Sequence, residues 1–354
     1  MVKITEHVPL STYTTLRTGG PARYFALCAS SQEILEALNF AKKNNLKVFV
    51  LGGGSNLLVS DAGFSGLVVK IASKKITYDS AGQVTVDAGV VWDDLVKDCC
   101  DQGLCGIEAL SGIPGLVGAA PVQNIGAYGQ EVSETITRVT AIHRQTLTTN
   151  VFSNKECEFG YRQSLFKLKD KDQWIITEVS FDLHTTKTPV AKYDELKLAL
   201  EQNTEWQRGD RKSKISTLRH EVLKIRSTKG MVLDAKDQDT RSVGSFFVNP
   251  IVSQSEKERI FAHARALACS RQPTAYPAGN SQWKLSAAWL IENSGIKKGQ
   301  VHGHARVSTK HVLAITNPDD ASTKEVLELA ALISAAVWQQ FGIELEREPI
   351  FVDG

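Results

Sequence analysis

Residues 111–129 read Ser-Gly-Ile-Pro-Gly-Leu-Val-Gly-Ala-Ala-Pro-Val-Gln-Asn-Ile-Gly-Ala-Tyr-Gly, and eleven of these nineteen are Gly, Ala, Ser or Pro, with no charge among them. So bare a segment leaves its backbone amides poorly shielded, and glycine permits the positive φ angles that turn successive N–H groups toward one point. A Gly/Pro-rich surface loop is the plain alternative. Such loops rarely carry Ile113, Leu116, Val117, Val122 and Ile125 between the breakers. The composition therefore points to buried backbone wrapped around a ligand.

A second bare stretch, Leu51-Gly52-Gly53-Gly54-Ser55-Asn56-Leu57-Leu58, directly follows the apolar run Val48-Phe49-Val50-Leu51. Ligands of α/β proteins commonly bind at the carboxyl end of a strand. No Gly-Lys-Ser/Thr follows, so it is not a P-loop, and no helical pattern opens after it as a dinucleotide fingerprint requires. A simple tight turn explains either stretch alone. Two amide-rich loops about 60 residues apart suggest one elongated cofactor lying across two subdomains.

The 354 residues allow two or three domains, and 42% hydrophobic with 23% charged residues is an ordinary soluble composition. A formal net charge of +2 argues against a dedicated nucleic-acid or anionic-membrane binder. No run of 18 apolar residues occurs, and the first residues lack a signal peptide's apolar core, so a cytoplasmic protein is expected. Six cysteines show no Cys-x-x-Cys pair and read as small core hydrophobes. His302 and His304 have no visible third ligand, so no metal is expected.

Ser30 and Glu33 form a capping box before Ile34, Leu35, Leu38 and Ala41, which recur at helical spacing. Trp92, Leu95, Val96, Cys99 and Cys100 make a second stripe, stopped at Gly103, and strands are expected near 139–142 and 174–183. Charge concentrates between Lys187 and Arg241, which reads as a junction leading into mobile loops. A strand at 245–250, helices after Ser253, over 285–293 and from the Ser322/Glu325 capping box to Phe341, and a strand-like tail at 345–351 follow.

Three residues carry possible chemistry. Arg162, flanked by Tyr161 and Phe166, is either a surface charge packed on a ring or a fixed guanidinium for a carboxylate or oxyanion. Ser245, after Gly244, is either an inert strand serine or a hydroxyl facing a cavity. Glu348 is one of several tail carboxylates and by default solvated.

Taken in order, the 51–58 motif, 111–129, Gly160-Tyr-Arg-Gln-Ser-Leu-Phe-Lys167, Gly244-Ser-Phe-Phe-Val-Asn-Pro250 and the closing Leu-Glu-Arg-Glu-Pro closely resemble the UDP-N-acetylenolpyruvoylglucosamine reductase (MurB) family of bacterial peptidoglycan synthesis. The likeness spans about 14–351. The first two motifs are shared with other vanillyl-alcohol-oxidase-type flavoproteins; the last three are more specific to the reductase. The resemblance implies an α+β protein: a two-subdomain FAD-binding region of the PCMH type (1–72 and 73–190), an α/β substrate-binding domain (200–342), and a C-terminal segment (343–354) returning to the active site. It implies that Gly52, Gly53, Gly54, Ser55, Asn56 and Leu57 hold the FAD diphosphate. Ser111, Gly112, Gly118, Ala119, Gln123, Asn124, Gly126 and Ala127 would line the diphosphate, ribityl chain and flavin. Neither stretch carries His or Cys, so non-covalent FAD is expected.

The implied reaction reduces UDP-N-acetylglucosamine enolpyruvate to UDP-N-acetylmuramate with NADPH as donor, through hydride transfer from flavin N5 to the vinyl carbon. The same resemblance gives Arg162 and Glu348 the task of stabilising the enolate, and Ser245 that of protonating it. Tyr161, Tyr193, Lys229, Asn249 and Gln300 would bind the UDP-sugar, with Lys229 placed in a long 227–241 loop. A monomer is expected. A flavin oxidase of the same superfamily and a nucleotide-binding module without turnover are the competing readings.

Overall fold

The computed structural model describes residues 1–79, 81–267, 269 and 271–354. The chain is a mixed helix and sheet protein that divides into two compact units. The first comprises Met1–Val8, Ala22–Gly54 and Ser65–Val232, and the second Pro9–Pro21, Ser55–Phe64 and Leu233–Gly354.

In the first unit, a four-stranded sheet runs in the order Ile4–Pro9, Pro21–Cys28, Phe64–Ile71, Val48–Leu51. Val48–Leu51 pairs in parallel with Phe64–Ile71, with Val48 opposite Leu67, so the Gly52-Gly53-Gly54 turn leaves from a strand's carboxyl end. Helix Ser31–Lys43 covers this sheet, burying Ile34, Ala37, Leu38 and Ala41. Ser30 Oγ accepts from Glu33 N–H at 3.2 Å, while the Glu33 carboxylate turns back to Ala29 N–H at 2.6 Å. The second sheet is antiparallel, in the order Thr149–Ser153, Ile136–His143, Trp174–Asp182, Gln83–Asp87, Ile76–Tyr78. Helix Trp92–Asp101 buries the five apolar residues of its stripe and stops before Gly103 at φ 77°. All six cysteines are free, and burial pushes the Cys28, Cys99 and Cys157 thiols up to about 12.

The charged stretch after Lys187 is not a run of loops. It forms helices Asp194–Glu201, Thr204–Arg208 and Arg211–Thr228, capped by Asn203 and Asp210 at the second and third. A small core of Leu196, Leu200, Leu218 and Val222 with Ala109 holds them. Two or three buried apolar residues suffice for the first and third helices and one half-buried Trp206 for the second, and the numerous Lys and Arg between them hide the helical period. Arg219 reaches across to helix Trp92–Asp101 and grips Asp93 at 2.6 and 2.9 Å.

The second unit is built on helix Thr323–Phe341, which begins with the reciprocal Ser322/Glu325 box and ends at Gly342 in the left-handed region (φ 62°). Helices Gln254–Ala266 and Ala287–Glu292 join it around Phe246, Phe247, Ile260, Leu290, Val337 and Phe341. Two three-stranded sheets and a parallel pair, Leu57–Val59 with Ile350–Val352, complete the unit. Stretch 245–250 is not a regular strand: it holds one isolated bridge, Phe247 to Arg347, because its neighbours leave the ladder after one pair. The tail likewise shortens to Ile350–Val352. His302 and His304 face Glu328 and Glu325 at 3.0 Å, and no metal-holding group occurs among the described residues. Among those residues no helix is long and apolar enough to cross a membrane.

Two expectations follow. A Cβ on Gly53 would stand 2.6 Å from Gly115 Cα, so the two bare loops pack backbone on backbone. Gly53→Ala should lose about 1–3 kcal/mol in denaturant unfolding, and an unchanged midpoint would refute the close contact. Burial would raise the Asp93 carboxyl, but the Arg219 guanidinium and the Gly112 N–H overcome it and hold the group below its ordinary value. A depressed acid contributes stability above its unfolded value near about pH 4, lost as pH falls through the folded value. Asp93→Asn should cost about 2 kcal/mol at neutral pH and flatten that acid limb; an unaltered pH–stability curve would contradict the assignment.

Candidate active site

A buried, irregular backbone must find partners for its polar groups, and segment 111–129 finds them largely in its neighbours. Gly118 N–H donates to Ala88 O (2.9 Å) and Val117 N–H to Val90 O (2.9 Å). Gly115 O accepts from Trp92 N–H (3.0 Å), and the Trp92 indole donates to Leu110 O (3.0 Å). Gly112 N–H donates to Asp93 at 2.6 Å, while its carbonyl accepts from Arg226 at 3.3 Å. Gly112 and Gly118 are glycines for close packing. A Cβ would meet Leu223 at 2.8 Å in the first, which also has φ 71°, and the Ala88 Cβ at 2.5 Å in the second. Fully buried Ser111 donates its hydroxyl to Glu108 O at 2.6 Å. The amides of Gly112 and Gly118 and the Ser111 proton therefore serve the fold, and the segment's exposed asset is its thin backbone.

The 52–58 turn lies against this wall. Gly52 O is held by the Lys70 ammonium, and a Cβ on Gly52 would sit 3.7 Å from Ala119 Cβ. Burial lowers the Lys70 pKa. Gly126–Ala127 pairs with Gln130–Glu131 as a two-residue hairpin, its corner made by Tyr128 and Gly129 at φ 50° and 80°. Those angles match the primed turns that fit twisted strands. The first unit thus brings Gly52, Gly53 and Gly54 together with the 112–127 stretch.

Arg162 stands at the tip of a tight turn closed by reciprocal Gly160 and Gln163 backbone bonds of 3.1 Å. Its φ is 54°, in a region that favours Gly or Asn and costs other residues about 1–2 kcal/mol. Its guanidinium donates to Gly126 O at 2.8 Å and Asn124 O at 3.4 Å, and lies 5.6 Å from the Tyr161 ring centre. Asn124, also left-handed at φ 45°, uses its whole side chain internally. Its amide donates to Glu131 (2.7 Å) and to Gly160 O (3.0 Å), and its oxygen accepts from Ser133 N–H (3.1 Å). Lys167 captures Arg162 O at 2.9 Å. Ser164 ties the same motif to Val122 O at 2.5 Å.

Tyr193 precedes helix Asp194–Glu201 and meets Tyr128 edge-on, ring centres 6.0 Å apart. Burial pushes the Tyr128 phenol up to about 12. Lys229 ends helix Arg211–Thr228 and pairs with Glu195 at 2.5 Å, so Tyr193 and Lys229 share one neighbourhood. Of the 227–241 stretch, Ser227 and Thr228 are helical, and Gln238–Thr240 forms a short turn of helix.

In the second unit, Ser245 and Glu348 lie on one backbone ladder. Glu348 N–H donates to Phe246 O (3.0 Å), and Val248 N–H to Glu346 O (3.0 Å). Asn56 clamps the tail beside it: its side-chain amide donates to Glu348 O at 3.3 Å, and its backbone carbonyl accepts from Ile350 N–H at 3.0 Å. Buried Phe246 and Phe247 anchor this ribbon, leaving Ser245 half-buried after Gly244 at φ 74°. Asn249 caps helix Ala287–Glu292 through Ala287 N–H (2.9 Å), and Gln300 closes a turn on Lys297 N–H (3.2 Å). Asp93, Asn124's internal role, Tyr128 and Lys167 escaped sequence reasoning. Asn124 and Tyr128 left a trace there as members of the 111–129 segment and Lys167 as the last residue of the 160–167 motif; Asp93 left none.

Comparison with known proteins matches this layout. A family described as "FAD binding domain" matches residues 22–146, and "UDP-N-acetylenolpyruvoylglucosamine reductase, C-terminal domain" matches 236–352. The UDP-N-acetylenolpyruvoylglucosamine reductase of Thermobifida fusca is 44% identical over 98% of this chain and 97% of that protein. That of Streptomyces avermitilis is 44% identical over 97% of this chain and 93% of that protein. The crystal structure of UDP-N-acetylenolpyruvylglucosamine reductase (MurB) from Thermus caldophilus superposes with a TM-score of 0.67 at 27% identity, covering 100% of this chain and 99% of that one. With its two bare loops and its Ser245–Glu348 ribbon on the stretches matched by the two family models, and with relatives 44% identical over nearly its whole length, this chain belongs to the UDP-N-acetylenolpyruvoylglucosamine reductase family.

Proposed function

We propose that this chain reduces the enolpyruvyl ether of UDP-N-acetylglucosamine enolpyruvate to the lactyl ether of UDP-N-acetylmuramate, with NADPH as donor and non-covalent FAD as carrier. The observation that carries the reading is Arg162, a guanidinium aimed by two carbonyls of the bare segment from a strained backbone. Such strain persists only where surrounding structure over-determines it, and it clusters at functional sites.

The two bare loops fit FAD. They are uncharged, they meet backbone to backbone at Gly53 and Gly115, and they hold no His or Cys that would bond a flavin. FAD bound there supplies the hydride for the substrate's vinyl carbon and draws it from NADPH. In this reading residues 1–72 and 73–190 form the FAD-binding subdomains, 200–342 binds the UDP-sugar, and 343–354 carries Glu348.

Arg162 receives the substrate carboxylate, where charge gathers as the adjacent carbon becomes enolate-like, and its planar fork suits two oxygens. Glu348 acts at the same carboxyl group. Ser245 gives its proton to the α-carbon; a hydroxyl is a weak acid, but an enolate carbon is a strong base at close range. Tyr161, Tyr193, Asn249 and Gln300 hold the UDP-sugar, and Lys229 exchanges Glu195 for the diphosphate. In this reading the protein acts as a monomer in the cytoplasm.

Ser245→Ala separates the two halves of the reaction. NADPH should still bleach the flavin at the normal rate, while turnover with the enolpyruvyl UDP-sugar falls on the order of 10²–10³-fold. Undiminished turnover would sink the proton-donor role.

A further inference from the structure

We infer that Asn124 and Lys167 are positioning residues that lock the left-handed backbone of Arg162 and thereby aim its guanidinium. The inference rests on the reading above, in which Arg162 acts on the substrate. A turn whose third residue sits at φ 54° is natural for glycine, yet this one carries the longest cationic side chain. Left alone, the 160–163 turn would relax toward negative φ, and the guanidinium would swing away with it.

Each carbonyl that defines the turn is held from outside it. Gly160 O accepts from the Asn124 amide at 3.0 Å, and Arg162 O from the Lys167 ammonium at 2.9 Å. Asn124 is 1% exposed and fixed in turn by Glu131 at 2.7 Å and Ser133 N–H at 3.1 Å. Its own carbonyl, with that of Gly126, receives the guanidinium. One asparagine therefore holds both the base of the turn and the cation at its tip. Lys167 grips the peptide between them, a task needing a donor on a long stem.

Lys167→Met keeps most of the bulk and removes the donor, and Asn124→Ala removes the strut. Turnover of the UDP-sugar should fall about 10²-fold in each; in Lys167→Met, which lies outside the residues expected to line FAD, the FAD content, melting temperature and NADPH-driven bleaching should be unchanged. Lys167→Arg restores a donor and should recover most of the rate. If Lys167→Met turns over normally while Arg162→Met is inactive, the inference fails and the catalytic reading stands. If Arg162→Met is also normal, the catalytic reading falls. Loss of FAD, or equal slowing of both half-reactions, in Lys167→Met would show a merely structural role and overturn the inference. Should Asn124→Ala not fold, the lysine variants decide the matter alone.

Discussion

A backbone stripped of side chains can approach a ligand closely, but it cannot satisfy itself, and that constraint organises the first unit. Segment 111–129 offers no charged side chain and few polar ones of its own, so many of its peptide groups are met by residues 88–93, by Arg226 from the charged helix, and by Arg162. Each such partner removes an unpaired group that would otherwise cost on the order of 1–3 kcal/mol. The result is a rigid, neutral wall whose shape is set before any ligand arrives. Preorganisation of that kind lets a flavin site hold a large planar group without reorganising at the moment of reaction.

The same logic places the candidate catalytic side chains on constrained backbone. Arg162 sits in a conformation that its own residue type disfavours, held by four hydrogen bonds around one turn. In the second unit, Ser245 and Glu348 are fixed by backbone pairing through Phe246, with Asn56 clamping the tail from the strand pair that begins at Leu57. In both units an asparagine stitches a functional segment to its support through a carbonyl, because its amide donates and its short stem tolerates little slack.

Much of this was legible in the sequence, wherever a local rule decides the outcome. The Ser322 capping box and the stripe from Trp92 to Cys100 need only nearby residues, and they form as their patterns indicate; Ser30 caps its helix, but Glu33 turns back to Ala29 N–H and leaves that box half-formed. Long-range effects were hidden. The helices of 194–228 carry few apolar residues, and only their packing on Ala109 makes them visible. The 245–250 stretch has the apolar run of a strand but meets its partner at one bridge. Gly112 and Gly118 look like open amides, whereas Asp93 and Ala88, distant in sequence, take those donors. Nothing local announces that Arg162 stands at positive φ, because the cause lies in Asn124 and Lys167.

The account stands on FAD held by the bare loops and turned over by the enolpyruvyl UDP-sugar, and the visible spectrum of the purified protein tests it most directly. It requires a yellow protein whose flavin is released by denaturation, bleached by NADPH without oxygen, and restored under the same anaerobic conditions by the enolpyruvyl UDP-sugar. A colourless protein, or one whose colour returns only when oxygen is admitted, would contradict it.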